Sequence, residues 1–231
     1  AAAELDKEFD AWRNRPLGAY PYVFFDARYE SIRHGGCVVD CAVLVAIGVT
    51  AQGKREVLGV CVSLSEAEAN WREFFKSLQA RGLHGTELII SDDHAGMKAA
   101  RKAVFPGIPW QRCQFHLQQN AQAYIPRKDM KKKVAAGIRS IFNATDKQEA
   151  ERLLGKTAAA WQKEAPALSA WMEKNIPEGF TVFDFPEPHQ KRLRTSNVCE
   201  RLNKEIKRRT RVATLFPNEA SCLRLVTAIA I

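Results

Sequence analysis

The chain has 231 residues, 46% of them apolar, which suits one large domain or a domain with a sizeable insertion and leaves material for a substantial core. Its 35 Lys and Arg outnumber 26 Asp and Glu, and the resulting +9 favours an acidic partner such as nucleic acid. No apolar run is long enough to cross a bilayer and no secretory leader is visible, so no membrane span is expected and the chain reads as cytoplasmic.

Residues 5–13 carry the pattern of a short amphipathic helix, ended by Pro16 and Pro21. Residues 22–26 read as a first strand, with Tyr22, Phe24 and Asp26 on one face by the period of two. Residues 37–49 and 55–64 are long apolar runs around a turn containing Gln52-Gly53, and they read as a hairpin. Ser65-Glu-Ala-Glu68 has the form of a capping box. Trp71, Phe74, Phe75 and Leu78 follow on one helical face, and Gly82 is placed to stop that helix. Leu88, Ile89 and Ile90 read as a short buried strand leading to Asp92, with a helix from His94 to about Val104 behind it. Residues 110–113 read as a fifth short strand running into Gln114-Phe-His116.

From about Leu117 to Ile176 the pattern is helical throughout, too long for a simple connection, and reads as an inserted helical block. Met130, Val134, Ile138 and Ile141 make one stripe. Thr145-Asp-Lys-Gln148 caps a second helix, whose stripe is Leu153, Leu154, Ala158 and Trp161. Pro166 opens a third with Leu168, Trp171 and Met172. Residues 180–185 read as a short extended piece ended by Pro186 and Pro188. A basic helix capped by Thr195 or Ser196 then runs to about Arg211. Beyond Pro217, residues 222–231 read as a last helix within which the chain stops, so a C-terminally truncated piece is expected. The organisation predicted is a lead-in helix at 1–19, an α/β domain from 20–116 and 190–231, and an all-α insertion at 117–189. The six cysteines lack the dense spacing of a disulfide framework and read as reduced thiols. Cys113 and His116 have ligand-like spacing, but no second such pair completes a zinc site.

Acids placed where a strand gives way to a helix lie at the carboxyl edge of a sheet, where α/β proteins place ligands. Asp26 and Asp92 both end apolar runs, and Glu200 lies in the basic helix. Mg²⁺ prefers oxygen ligands and is held by one or two carboxylates beside waters. Two such ions about 3.5–4 Å apart serve phosphodiester chemistry by acting on the attacking and the leaving oxygen. Asp26, Asp92 and Glu200 fit that need as metal ligands. Asp92 is preferred to Asp93 because it shares a strand face with Leu88 and Ile90; Asp93 then begins the next helix as a cap. His94 reads as a solvated loop side chain, and Asp40 as a partner-bonded or edge-facing strand acid. Residues 191–211 hold nine Lys and Arg against Glu200 and Glu205. Asn203, Lys204 and Lys207 follow Glu200 on one helical face. Lys204, Lys207 and Arg208, with Arg201 and Arg211 beside them, are the candidate phosphate contacts. Val198, Leu202 and Ile206 form a stripe expected on the opposite face, toward the insertion. The cluster 127–133 is either a further DNA contact or a solvated helix start. Trp161 and Trp171 fit core stripes better than base stacking.

These residues together resemble the catalytic domain of the Mutator-like transposases of bacterial insertion sequences, within the DDE transposase group. The resemblance covers nearly the whole chain. Trp12-Arg-Asn-Arg-Pro-Leu-Gly18 leading into Tyr20-Pro-Tyr-Val-Phe-Phe-Asp-Ala-Arg-Tyr29 is similar to the first-acid motif, Ser91-Asp92 with Gly96 to the second, and Thr195-Ser-Asn-Val-Cys-Glu200 with Asn203 to the third. Cys113-Gln-Phe-His116 is similar to the family's C-x-x-H motif, a structural support near the site. The resemblance implies a ribonuclease H-like mixed five-stranded sheet flanked by helices, with the all-α insertion before the last catalytic helix. It implies catalysis by Asp26, Asp92 and Glu200 with two Mg²⁺ ions, Mn²⁺ substituting, in cleavage and strand transfer at transposon ends. The implied partners are double-stranded DNA and a second or further copy of the chain, on the bacterial nucleoid. A non-catalytic DNA-binding or oligomerising piece, and a nuclease of the same fold without strand transfer, are the alternatives.

Overall fold

The computed structural model describes residues 2–213 and 215–231. Helix α1 (Ala2–Arg13) is followed by β1 (Tyr22–His34), β2 (Cys37–Val49) and β3 (Arg55–Ser63), each antiparallel to the next. β1 is far longer than its apolar start predicts. It continues through polar residues because β2 pairs with it along its whole length, from Tyr22 opposite Val49 to His34 opposite Cys37. Asp26 therefore lies inside the strand, opposite Val45, and not at its end. The β1–β2 hairpin turns on Gly35 and Gly36, with φ of 57° and 83°. A two-residue turn of this hand suits the twist of a hairpin, and glycine adopts it without strain.

The chain then forms α2 (Glu68–Ala80), β4 (Leu88–Ser91), α3 (Ala95–Val104) and β5 (Trp110–Arg112). After these come α4 (Gln114–Ala121), α5 (Lys131–Phe142), α6 (Lys147–Trp161), α7 (Pro166–Asn175), α8 (Glu187–Leu193), α9 (Asn197–Ala213) and α10 (Glu219–Ala230). The five strands make one sheet in the order β3-β2-β1-β4-β5. Two compact units result: Ala1–Ile89, Asp93–Ile108 and Ser196–Ile231 form the first, and Ile90–Asp92 with Pro109–Thr195 form the second.

In the first unit, β2 is buried from Cys41 to Ile47 on both faces, which is why it reads as an unbroken apolar run. Successive β1 side chains point to opposite faces. Phe25 meets Trp71, Phe75 and Phe105 of the α2–α3 layer, with ring centroids 6.4, 4.5 and 6.3 Å away. The next residue, Asp26, faces α9. α2 starts two residues later than a cap at Ser65 predicts: its N-cap is Ala67, with no side-chain cap bond. Asn70 Nδ2 donates to both the carbonyl and the hydroxyl of Ser65, 2.9 and 3.3 Å away, and this ties Ser65 into the preceding loop. Gly82 ends α2 with φ of 91°, as expected.

Gly96 in the first turn of α3 is pressed against the chain entering α2. A Cβ there would stand 2.3 Å from the Glu66 carbonyl oxygen and 2.9 Å from the Glu68 nitrogen. Backbone cannot yield as a side-chain tip can. Gly96→Ala is therefore expected to cost about 1–3 kcal/mol, read as a lower urea midpoint at unchanged slope.

In the second unit, Leu117, Val134, Ile138, Ile141, Leu168 and Met172 centre one buried cluster, and Trp171 closes it with Tyr124 stacked outside. Trp161 packs against the same cluster, so both tryptophans serve the core. Asp146, not Thr145, caps α6 and accepts from Glu149 N at 2.8 Å. Residues 180–185 are not extended but contain a single 3₁₀ turn at Thr181–Asp184. The cause is Gln111, wholly buried on β5. Its side-chain oxygen takes the Val182 N–H at 2.8 Å and its amide donates to the Gly179 carbonyl at 2.9 Å. The backbone there bonds to a side chain and forms no ladder. Pro186 and Pro188 end that turn and open α8, the helix Glu187–Leu193 that the sequence pattern did not show; Pro is favoured in a first turn, where N–H groups have no intrahelical partner.

Candidate active site

Asp26 is held from two sides within the first unit. Its Oδ1 accepts from the Ala27 N–H at 2.9 Å and its Oδ2 from Asn203 Nδ2 at 2.8 Å. Asn203 lies one turn beyond Glu200 on α9, so this bond ties the acid-bearing end of the basic helix to the acid on β1. Arg28 and Glu30 follow Asp26 on the same strand face. Arg28 donates from Nη1 to the Asn203 carbonyl at 2.9 Å and from Nε to Glu30 Oε1 at 2.6 Å. Thr210 Oγ1 reaches the same Glu30 oxygen at 3.3 Å. The Arg28 and Glu30 side chains are only 17% and 11% exposed.

The packed face of α9 differs from the predicted stripe. Cys199, Ile206 and Thr210 are buried, and Val198, Leu202 and Asn203 are half-buried. This face lies against β1, β2 and α10. At 100° per residue, Glu200, Lys204, Lys207 and Arg211 then share one flank of that face. Glu200 is half-buried and the three bases are exposed. Arg201 and Arg208 stand further round. Arg208 and Arg209 both bind Glu205, at 2.7 and 3.0 Å, and these hydrogen bonds, Arg208 first, hold the Glu205 carboxyl down to about 2. Lys204, Lys207, Arg201 and Arg211 make no ion pair among the described residues, so their charge remains available to an outside anion.

Asp92 follows β4 in the second unit. The end of β4 is joined to that of β5, for the Ser91 carbonyl accepts from Cys113 N at 2.8 Å and Ser91 Oγ from Trp110 Nε1 at 2.7 Å. Cys113 is buried at the N-cap of α4. One turn on, His116 Nδ1 lies 3.8 Å from Asp92 Oδ1. The C-x-x-H pair thus divides its work: Cys113 packs, and His116 faces the acid. Asp93 does not cap α3. It pairs with Lys98 at 2.7 Å, while His94 takes the N-cap position without a side-chain cap bond. His94 Nδ1 lies 3.4 Å from Glu66. Asp40 accepts from Ser31 Oγ at 3.0 Å and is one of the partner-bonded strand acids.

Asp26 and Glu200 thus belong to the first unit and Asp92 to the second. Among the described residues, no three of His, Cys, Asp and Glu are grouped so as to hold a metal ion. The residues that sequence reasoning missed are Arg28 and Glu30. The signal was the two-residue period itself, which puts 26, 28 and 30 on one face once the strand is known to continue. The exposed surface has no helix, among the described residues, long and apolar enough to cross a membrane.

The comparison with known families is specific: across residues 1–231 the chain matches the family described as "Transposase, Mutator family", and it belongs to that family. It is 62% identical over 229 residues to the "Transposase for insertion sequence element IS406" of Burkholderia multivorans, covering 99% of this chain and 59% of that protein. It is 40% identical over 228 residues to the "Transposase for insertion sequence element ISRM5" of Rhizobium meliloti, covering 98% and 57%. The chain thus spans less than two thirds of these curated relatives. Among solved structures, one chain of the simian T-cell lymphotropic virus intasome in complex with PP2A regulatory subunit B56 gamma is similar at 14% identity and a TM-score of 0.26, over 68% of this chain and 49% of that one. Likeness at that level carries no conclusion about fold or function.

Proposed function

We propose that this chain is the catalytic domain of an insertion-sequence transposase with a ribonuclease H-like fold, which cleaves DNA at the ends of a mobile element and joins them to a target. The observation that carries the reading is the 2.8 Å bond from Asn203 to Asp26. It brings the base-rich helix that bears Glu200 onto the strand that bears the first acid. Family membership over the whole chain supports it further.

In this reading Asp26, Asp92 and Glu200 hold two Mg²⁺ ions, with Mn²⁺ as a substitute. The donor set fits a hard cation: all three are carboxylates, and Asn203 Oδ1 beside Asp26 is buried without a hydrogen-bond partner among the described residues. Bound ions of this kind supply charge stabilisation to the attacking and leaving oxygens of a phosphodiester. The chain's own residues do the rest. Asn203 and the Ala27 N–H orient the Asp26 carboxylate. His116 stands beside Asp92 from α4, its Nδ1 3.8 Å from the carboxylate. Lys204, Lys207 and Arg211 on the Glu200 flank, with Arg201 and Arg208 beyond, take backbone phosphates and position the duplex without reading its sequence. No Ser or Tyr need act as nucleophile, since water and then a freed 3′-hydroxyl attack in turn. Two or more copies assemble on the DNA, one for each end to be joined.

The test offers the protein a duplex with a pre-cleaved 3′-hydroxyl end together with target plasmid in Mg²⁺. Joined product is expected. Plasmid nicking without joining would reduce the activity to that of a nuclease, and DNA binding with neither would remove the enzymatic reading altogether.

A further inference from the structure

The half-buried pair Arg28–Glu30 needs a reason. Two charges largely shielded from water between a strand and a helix are costly, and apolar residues usually fill such an interface at least as stably. Ile206 does so one turn beyond Asn203, wholly buried. What an ion pair adds is direction. A helix held only by apolar contacts can turn or slide by a fraction of a residue with little penalty, whereas a guanidinium bonded to one named carbonyl cannot be satisfied elsewhere. Arg28 reaches the Asn203 carbonyl at 2.9 Å, and its Nε and Nη2 are both taken by Glu30 Oε1. Glu30 in turn accepts from Thr210, two turns further along the same helix. The main chain of Asn203 is therefore fixed by Arg28, and the side chain of Asn203 fixes Asp26 at 2.8 Å.

We propose that Arg28, with Glu30 as its counter-charge, and Asn203 are positioning residues of the active site: Arg28 sets the rotation of α9 through the Asn203 carbonyl, and Asn203 hands that setting to Asp26, with Glu200 one turn before. This rests on the reading of Asp26 and Glu200 as metal-binding acids. Residues outside the ligand shell that orient a ligand are worth about 10–100-fold in metal affinity.

The experiment uses three readouts on the wild type and on Arg28→Met, Arg28→Lys, Asn203→Ala and Asp26→Asn. The first is amide hydrogen exchange in metal-free protein, the second Mn²⁺ affinity by electron paramagnetic resonance, and the third the Mg²⁺ dependence of DNA cleavage. Arg28→Met is expected to speed exchange across the first three turns of α9, leave β2 and β3 protected, weaken Mn²⁺ binding by about 10–100-fold and raise the Mg²⁺ midpoint more than it lowers the rate at saturating metal. Arg28→Lys keeps the charge without the fork and should recover part of each loss. Asn203→Ala should weaken Mn²⁺ binding to a similar degree with α9 exchange unchanged, because the carbonyl remains. If Arg28→Met fails to fold, Arg28→Lys and Asn203→Ala carry the test. Wild-type Mn²⁺ affinity in these variants, or wild-type α9 exchange in the Arg28 variants, would overturn the positioning role. Wild-type affinity and cleavage in Asp26→Asn would instead overturn the proposed function, so the two failures are distinct.

Discussion

Asp26→Asn and Asp92→Asn are each expected to lower Mg²⁺-dependent DNA cleavage by about a thousandfold or more, with DNA binding and folding retained. If these acids hold divalent cations as proposed, removing one negative ligand forfeits several kcal/mol of transition-state stabilisation, and about 4 kcal/mol is already about a thousandfold. Asp26→Asn is well suited to isolate that loss. The new side chain has the same shape, and its oxygen can keep the Ala27 N–H that Asp26 Oδ1 accepts at 2.9 Å. Its NH₂ then faces Asn203, whose Oδ1 has no hydrogen-bond partner among the described residues. A flip of the Asn203 amide turns donor against donor into a normal amide pair. The thermal midpoint should therefore move little while the rate collapses. Residual cleavage above about a tenth of wild type, at any Mg²⁺ or Mn²⁺ concentration, would remove Asp26 from the ligand set.

The largest effect on stability is expected at Trp71. It is 1% exposed, and its ring stands 6.4 Å from Phe25, 6.2 Å from Phe74 and 5.3 Å from Phe75. Trp71→Ala opens a cavity between α2 and β1 that rings on three sides are too stiff to fill, and should cost about 3–5 kcal/mol. For a chain of this size that is a fall of about 10 °C in the thermal midpoint followed by circular dichroism. Trp71→Phe should be much milder. Trp71 Nε1 is buried with no hydrogen-bond partner among the described residues, so replacing the indole by a phenyl ring also removes an unmet donor. A Trp71→Phe variant as unstable as Trp71→Ala would show that the indole's full volume, and not the stacking of rings, holds α2 to the sheet.

Much of this architecture could be read from local pattern. The stripe Trp71, Phe74, Phe75 and Leu78 is buried as its spacing predicts, and the helical block from Met130 to Met172 packs on the stripes its periodicity marks. What escaped depends on partners distant in sequence. β1 runs on past Asp26 because β2 lies beside it, although Arg28, Glu30 and Arg33 give that stretch the look of a solvent face. The glycine pair at 35–36 was a local sign of the hairpin, and it is the one miss that local reading could have avoided. Residues 180–185 have the Phe, Thr and Val content of a strand, but a glutamine some seventy residues earlier takes the backbone N–H that a ladder would use. At the candidate site, Asp26, Asp92 and Glu200 stood out as acids ending apolar runs or interrupting a basic one. The rotation of α9 did not. A search for apolar stripes finds Ile206 but passes over Cys199, Asn203 and Thr210, whose small or polar side chains meet the sheet beside it.

The long interruption between β3 and α9 also shapes how the protein is made. One side of β1 and β2 is covered by α9 and α10, which leave the ribosome only after the whole helical block has been synthesised. At about 5–20 residues per second, the oily middle of β2 waits on the order of ten seconds for its cover. During that interval the nascent chain is a natural client for a holding chaperone. A message cut short before the codon for Asn197 would yield a product that is sticky rather than merely inactive.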